Sequence, residues 1–505
     1  MESAVETLLS LSRARPEQPL LVTRGGSYGY GSFARRAATL AGELVASGLT
    51  RGARAALLLD AYDDFFVAMF AVWLAGGVAV PLNTTLPAAD IEWLIAKSAP
   101  EVLLTSPGNG LPAPTASSAA GAPSAAGAPR RLEVAAADLP EARPEALDAL
   151  VPVGPDELAM VMFTSGTTGR PKGVCQRLRA IGANAGLVAD RLGLTAADRI
   201  FINTPPYFTS GICHFLTLMA HGGGTAGRSG FFFGSGLLDE IAEAGCTGFG
   251  GAPAHLVRVV QPLSEPQPAG GLRFWVSSGD HLPLDVIDRA RRVLPGLLLF
   301  NMYGLTEVSG RLCVLTPDEL DRRRGSVGRP IGEMTVTVRG LDGDLLADGE
   351  VGELYVGGPL VMRDYLGDPD VTAAALTPHG FRTGDFGHRD ADGFVWVEGR
   401  RDDIIKRGGE KVSLVRIQDA LRALELFADV AVIAADDELL GRVPVAFVVP
   451  LEPGAFERAT VMRALRRALP STSLPSRVVA LAEIPRTGSG KAIRPELLRL
   501  DRKPR

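Results

Sequence analysis

Residues 158–174 read LAMVMFTSGTTGRPKGV. An apolar run, Leu158 to Phe163, breaks at Thr164 into a loop of glycine, serine and threonine that ends on Lys172. The apolar run predicts a buried strand. The segment after the loop, GVCQRLRAIGANAGLV over 173–188, carries apolar residues at helical spacing. Strand, glycine- and threonine-rich loop, then helix is an arrangement that cradles phosphate. Glycines let backbone N–H groups converge, hydroxyls add donors and a lysine adds charge. The spacing is not that of a Walker loop, because Pro171 stands where the second glycine would fall.

The stretches on either side follow the same rhythm. FARRAATLAGELVASG is an amphipathic helix pattern, ARAALLL a buried strand, IEWLIAKSA a helix and EVLLT a strand. Alternation of this kind predicts a parallel α/β sheet. Phe65 to Leu82 is uncharged for 18 residues. Gly76, Gly77 and Pro81 interrupt it, so we read a buried helix turning into a buried strand, with no membrane span. Residues 106–129 are almost wholly Gly, Ala, Ser and Pro and read as a mobile surface loop. From 325 to 400, short strands with glycine turns (TVTVRG, GELYVGG, GFVWVEG) indicate a β-rich subdomain. From about 402, helices (LVRIQDALRAL, TVMRALRRAL) mix with strands (DVAVIAA, PVAFVVP) in a final unit. The expected class is α/β. A large domain, 1–401, holds two α/β sheet units and the β-rich part, and a small mobile α+β domain spans 402–505.

Composition narrows the function. The 505 residues are 46% hydrophobic and 22% charged, enough for a sizeable core. The net charge of −5 argues against nucleic acid as a partner. From 402 onward, 18 basic residues face 14 acidic ones, so a positive small unit adjoins a negative large one. The four cysteines, at 175, 213, 246 and 313, are far apart and read as free thiols in a reducing, cytoplasmic setting. Of 52 basic residues only six are lysines, and four of those six, Lys172, Lys406, Lys411 and Lys491, fall in or beside motif loops. Where arginine serves for generic charge, a retained lysine marks a place for a compact, mobile cation. GGGTAG at 222–227 follows a helical pattern and reads as a helix stop, not a dinucleotide loop. His214, His255 and His281 lack metal-ligand spacing, and Ser165 is not in a hydrolase elbow.

The loop at 164–174 resembles the phosphate loop of the adenylate-forming superfamily, which includes acyl- and aryl-CoA synthetases, adenylation domains and luciferases. NMYGLTE at 301–307, RTGD at 382–385, GRRDDIIKRGGEKV at 399–412 and PRTGSGK at 485–491 resemble its later motifs, in order. The resemblance implies ATP-dependent activation of a carboxylic acid, with Mg²⁺, and acyl transfer to coenzyme A. It assigns Thr164, Ser165, Gly166, Thr167, Thr168 and Lys172 to the β- and γ-phosphates, and Ser278 and Gly279 to the nucleotide site. Tyr303 offers a face for adenine. Thr306 donates to the α-phosphate, Glu307 holds Mg²⁺ and Asp385 takes the ribose hydroxyls beside Arg400. Lys491 contacts the substrate carboxylate and the developing phosphorane. Asp402 corresponds to the hinge, and the loop with Lys406, Gly408 and Gly409 to the thiol path.

The acid is expected to be aromatic or cyclic and uncharged away from its carboxylate, walled by Tyr207 and Phe208, with Gly250, Gly251, Gly279 and Gly304 leaving room. Phe208 stands where many acyl-CoA synthetases have a histidine, and Arg416 where a glutamate is usual. No Phe-Asp pair occurs at 205–212, which disfavours an α-amino acid. Two alternatives share the adenylation step: an amide synthetase, and a ligase to a carrier protein. A non-catalytic nucleotide sensor is an alternative of another class.

Overall fold

A computed structural model describes residues 2–108, 128–164, 170–227, 236–340, 342–400, 403–407, 410–437, 441–452, 456–486 and 492–501. Two sheets form the core of the large domain. One contains, in spatial order, the strands Asp364–Tyr365, Lys172–Arg177, Leu158–Thr164, Val78–Pro81, Arg54–Leu58, Val102–Thr105 and Arg130–Glu133. Its members from Leu158–Thr164 to Arg130–Glu133 run parallel, as the α/β rhythm requires. The other is centred on parallel strands Leu298–Tyr303, Phe274–Ser278, Gly248–Gly251, Arg199–Ile202 and Gly224–Gly227.

The uncharged run at 65–82 folds as read, into helix Tyr62–Leu74 and strand Val78–Pro81. Every residue of that helix except Asp64 is buried, so its hydrophobicity is spent on the core. Among the described residues no helix is long and apolar enough to cross a membrane. Phe66 stacks on Phe215 of helix Thr209–Ala220 at 4.0 Å between centroids, and Phe33 and Phe70 pack on the same ring. Burying a side chain of this size contributes about 1.5–3 kcal/mol, which fixes the helix that borders the site.

One local expectation is corrected. The phosphate loop does not open a helix. Residues Lys172–Arg177 form a strand antiparallel to Leu158–Thr164, with Thr164 opposite Lys172, and the helix starts only at Leu178. Gly173 to Gln176 are all buried, lying between Leu158–Thr164 on one side and Asp364–Tyr365 on the other. A segment flanked by two strands satisfies its backbone groups by pairing, which overrides the helical spacing of its side chains. GGGTAG ends helix Thr209–Ala220, as expected, and then continues as strand Gly224–Gly227.

The β-rich part is a five-stranded sheet of Thr335–Arg339, Gly352–Gly357, Gly380–Arg389, Leu376–Thr377 and Val395–Arg400. After it come the hairpin Ile404–Arg407 and Glu410–Ser413, and a three-stranded sheet of Phe427–Asp437, Gly441–Pro450 and Arg477–Ala480. These close around two apolar clusters of their own, one containing Ile417, Val448 and Leu465 and the other Ile433, Phe447 and Leu497. The fold is a large N-terminal α/β domain with a small C-terminal one. All four cysteines are buried and unbridged. The expected mobile loop lies, over 109–127, outside the described residues.

Candidate active site

Asp385 and Arg400 face each other across neighbouring strands, and Arg400 Nε stands 3.1 Å from Asp385 Oδ1. The Tyr303 hydroxyl donates to Asp385 Oδ2 at 2.5 Å. Thr383 Oγ1 accepts from the Asp385 N–H at 3.0 Å and donates to the Leu354 carbonyl. Asp385 is only 5% exposed, so these partners offset the cost of burying its charge. Desolvation, reinforced by that carboxylate, raises the Tyr303 pKa well above the usual phenol value, so the hydroxyl stays a donor. The residues expected to hold adenosine thus meet in one place.

The residues expected on the phosphate side gather around the segment 304–310. The Tyr365 hydroxyl donates to Glu307 Oε1 at 2.9 Å, and Lys172 Nζ lies 5.2 Å from the centre of the Tyr365 ring. Tyr365 therefore links the lysine to the glutamate. Among the described residues Glu307 Oε2 has no hydrogen-bond partner, leaving an oxygen donor of the kind a hard divalent cation takes. Thr306 Oγ1 is 2.9 Å from Thr209 Oγ1, and the Thr306 carbonyl accepts from Gln176 Nε2 at 2.6 Å. Ser309, at φ 62°, shares its one hydroxyl proton between Gln176 Oε1 at 2.8 Å and the Leu360 carbonyl at 3.0 Å. A serine held in the left-handed region is strained, and these two bonds hold it there. Thr209, Gln176, Ser309, Tyr365 and Thr383 were not singled out from the sequence. Except for Thr383, which lies within RTGD and bonds the Asp385 N–H two residues on, they act through distances between segments far apart in the chain, and only Tyr365 has a residue type that could have drawn attention.

At the acid end, Tyr207 is buried, and its ring centre is 4.9 Å from that of half-buried Phe208. Burial, opposed by hydrogen bonds with Thr84 and Thr85, raises the Tyr207 pKa. The glycines do not leave the room expected of them. A Cβ on Gly250 would lie 2.6 Å from the His214 imidazole, and one on Gly251 2.6 Å from the Phe249 ring. The space at Gly304 is taken by the Gly310 carbonyl, because the loop folds back on itself. Only Gly279, at φ +95°, has nothing nearby. Next to it Ser278 is 5% exposed, with a buried hydroxyl that has no hydrogen-bond partner among the described residues.

Among the described residues, ion pairs join the small domain to the large one at Arg416 and at Asp419. Arg416 binds Glu398 through Nε at 2.7 Å and Nη2 at 2.6 Å. The arginine that replaces the usual glutamate thus has a carboxylate waiting for it in strand Val395–Arg400. His281 Nε2 lies 2.9 Å from Asp419 Oδ1. Ser165 to Thr168, Asp402, Gly408, Gly409 and Lys491 lie outside the described residues. Lys406 lies on strand Ile404–Arg407, and its side chain is not described. Among the described residues no group of His, Cys, Asp and Glu side chains has the makings of a metal cluster.

Comparison with known proteins bears on the family and the fold. A family model described as AMP-binding enzyme matches residues 11–366, and one described as AMP-binding enzyme C-terminal domain matches 416–491. The chain is 31% identical over 474 residues to an indoleacetate–CoA ligase of Aromatoleum aromaticum, covering 93% of this chain and 92% of that protein. It superposes on o-succinylbenzoate CoA synthetase of Bacillus subtilis, bound to its acyl-adenylate intermediate, with a TM-score of 0.82 and 25% identity, covering 100% of this chain and 99% of the other. The same enzyme in complex with ATP and a magnesium ion also matches, with a TM-score of 0.82 and 25% identity over 97% of this chain and 98% of that one.

Proposed function

Because the chain belongs to the AMP-binding enzyme family, and is therefore an AMP-forming ligase, we propose that it joins an aromatic or cyclic carboxylic acid to coenzyme A through an acyl-adenylate. The carrying observation is the continuity of the site. Tyr303, Asp385 and Arg400 form a ribose and base end, and Thr306, Glu307, Tyr365 and Lys172 continue it into a phosphate end.

In the first half-reaction a carboxylate oxygen attacks the α-phosphorus, and the bond to the bridging oxygen of pyrophosphate breaks. Two anions meet, so donors and cations must be in place before the charge develops. Lys172 and the 164–169 loop take the leaving phosphates. Thr306, steadied by Thr209 and Gln176, donates toward the α-phosphate. Glu307 is the residue that would hold Mg²⁺, whose contribution is neutralisation of the phosphate oxygens. We infer that Lys491 bridges carboxylate and phosphorus, that the domain from 402 turns about Asp402, and that the Lys406–Gly409 loop then admits the thiol. In the second half-reaction the thiolate sulfur attacks the acyl carbon and AMP leaves. We place the reaction in the cytoplasm, where the buried free thiols would stay reduced.

The test is ATP–pyrophosphate exchange across a panel of acids, followed by mass spectrometry with coenzyme A, an amine or a carrier protein as acceptor. Acid-dependent exchange and a CoA thioester are expected. Exchange with no acid would overturn the adenylation step. Amide or carrier-bound product in place of the thioester would move the acceptor.

A further inference from the structure

Several buried carboxylates in the large domain are matched by arginines, Asp198 by Arg273, Glu353 by Arg382, Asp385 by Arg400 and Glu398 by Arg416, while Asp63 accepts from the Tyr28 and Thr23 hydroxyls. Arg311 is the converse. It is 6% exposed, and among the described residues no carboxylate forms an ion pair with it. Among the described residues its guanidinium has a hydrogen-bond contact with His214, Nη2 and Nε2 being 3.4 Å apart, and the Cys213 thiol lies close enough to interact with its charge. Burial and the arginine charge both lower the His214 pKa, which keeps the imidazole neutral and able to accept from the guanidinium. A guanidinium stays protonated in proteins, and a buried charge without a counter-ion is costly.

The surrounding structure holds this cation in place. Asn184 Nδ2 donates to the Arg311 carbonyl at 2.6 Å, fixing the backbone. His214 can stand where it does only because Gly250 has no Cβ. The helix that carries His214 also carries Thr209, which touches Thr306 at the reacting end. Five residues separate Thr209 from His214, about 7.5 Å along the axis. The cation therefore neighbours the same helix whose first turn meets Thr306 at the reacting end, and it follows the segment 304–310 directly in the chain.

We propose that Arg311, seated by His214, is the counter-ion for a second anionic group on the acid, so that the substrate class is a dicarboxylate or a carboxylate with a distal sulfonate. This rests on the adenylation reading above, and it replaces the expectation of an acid uncharged away from its carboxylate. An oxyanion facing a buried guanidinium accepts charge-assisted hydrogen bonds, the strongest class available to a small acid.

The experiment measures exchange with paired acids, benzoate against terephthalate and hexanoate against adipate. The wild type should favour the dianion in at least one pair by about tenfold to a hundredfold in kcat/KM. Arg311→Met should reverse that preference, and Arg311→Lys should retain part of it. Preference for the monoanion in both pairs, or a dianion preference that survives Arg311→Met, overturns the proposal. If Arg311→Met does not fold, the wild-type ratios and Arg311→Lys decide. Absence of exchange with every acid in a wide panel would instead remove the adenylation reading, a distinct result.

Discussion

Around Asp385, the buried charge meets its partners inside the protein: Arg400, the Tyr303 hydroxyl and the backbone turn at Thr383. Around Arg311, the buried charge meets a neutral imidazole and, among the described residues, no carboxylate. The difference fits what each end is proposed to receive, ribose at the first and a second anionic group at the other. Ribose hydroxyls are neutral, so the carboxylate that accepts from them must be held ionised by the protein itself. A cation with no carboxylate partner among the described residues suits a ligand that brings the compensating charge, the role proposed for Arg311, and ligand binding would then stabilise that end.

The comparison is broken most severely at its closed end. Asp385→Ala removes the acceptor of the Tyr303 hydroxyl and the partner of Arg400. Losing one member of a buried, hydrogen-bonded charge set costs about 3 kcal/mol, roughly a hundredfold in kcat/KM for ATP. The ratio between acids should stay as in the wild type. A changed acid ratio with unchanged ATP kinetics would mean that Asp385 does not serve the nucleotide.

At the other end, Phe208→Ala removes a large apolar wall beside Tyr207. For the best acid we expect a loss of about 2 kcal/mol, roughly thirtyfold in kcat/KM, with KM for ATP nearly unmoved. Bulkier acids should gain relative to small aromatic ones. Matched kinetics on both acid types would show an unchanged ratio if Phe208 were not a wall.

Gly250→Ala tests whether the open cation depends on its seat. The added Cβ would meet the His214 ring at 2.6 Å, too close without displacement. Overpacking of this kind costs about 1 kcal/mol or more of stability. Thermal unfolding should record that loss, and acid kcat/KM should fall while ATP kinetics hold. A variant as stable and as selective as the wild type would show that His214 can move freely.

The smallest effect belongs to the domain junction. Desolvation would lower the His281 pKa, but the hydrogen bond and charge of Asp419, with Asp280 nearby, outweigh it against opposition from Arg422, and the net shift is upward. The folded-state value therefore lies above the ordinary one of 6.5. Stabilisation is present in full below that ordinary value and is lost as pH rises through the folded one. Between about pH 6 and 8 the wild type should lose a few tenths of a kcal/mol more than His281→Asn, read as a steeper fall in Tm. Parallel pH slopes would show that the His281–Asp419 pair contributes nothing to stability.

Much of the molecule was legible because its signals are local. The uncharged run at 65–82 had to be buried, and glycine, proline and length decided helix-then-strand over a membrane span. RTGD at 382–385 and the aromatic-to-glutamate segment at 301–307 were marked out by their resemblance to the family's motifs, and the structure brings Asp385 and Tyr303 from them together. What failed is equally instructive. Residues 173–176 have a spacing compatible with helix, and their pairing with strands from 158–164 and 364–365 overrode it. Gly250 and Gly304 were read as open space, yet the missing Cβ atoms make way for protein atoms.

By itself, the sequence determined the α/β alternation, the order of the motifs and the residue types that can bind phosphate, ribose and a divalent cation, because these depend on periodicity and on chemistry carried within a few neighbouring residues. Only the tertiary structure decided which charges are satisfied. Arg416 finds Glu398 18 residues earlier in the chain, and Asp385 finds the Tyr303 hydroxyl 82 residues away. Arg311 is brought beside His214 across 97 residues, with no carboxylate partner among the described residues. Desolvation and ion pairing depend on distance in space and on the exclusion of water, and neither is written in the spacing of residues along a chain.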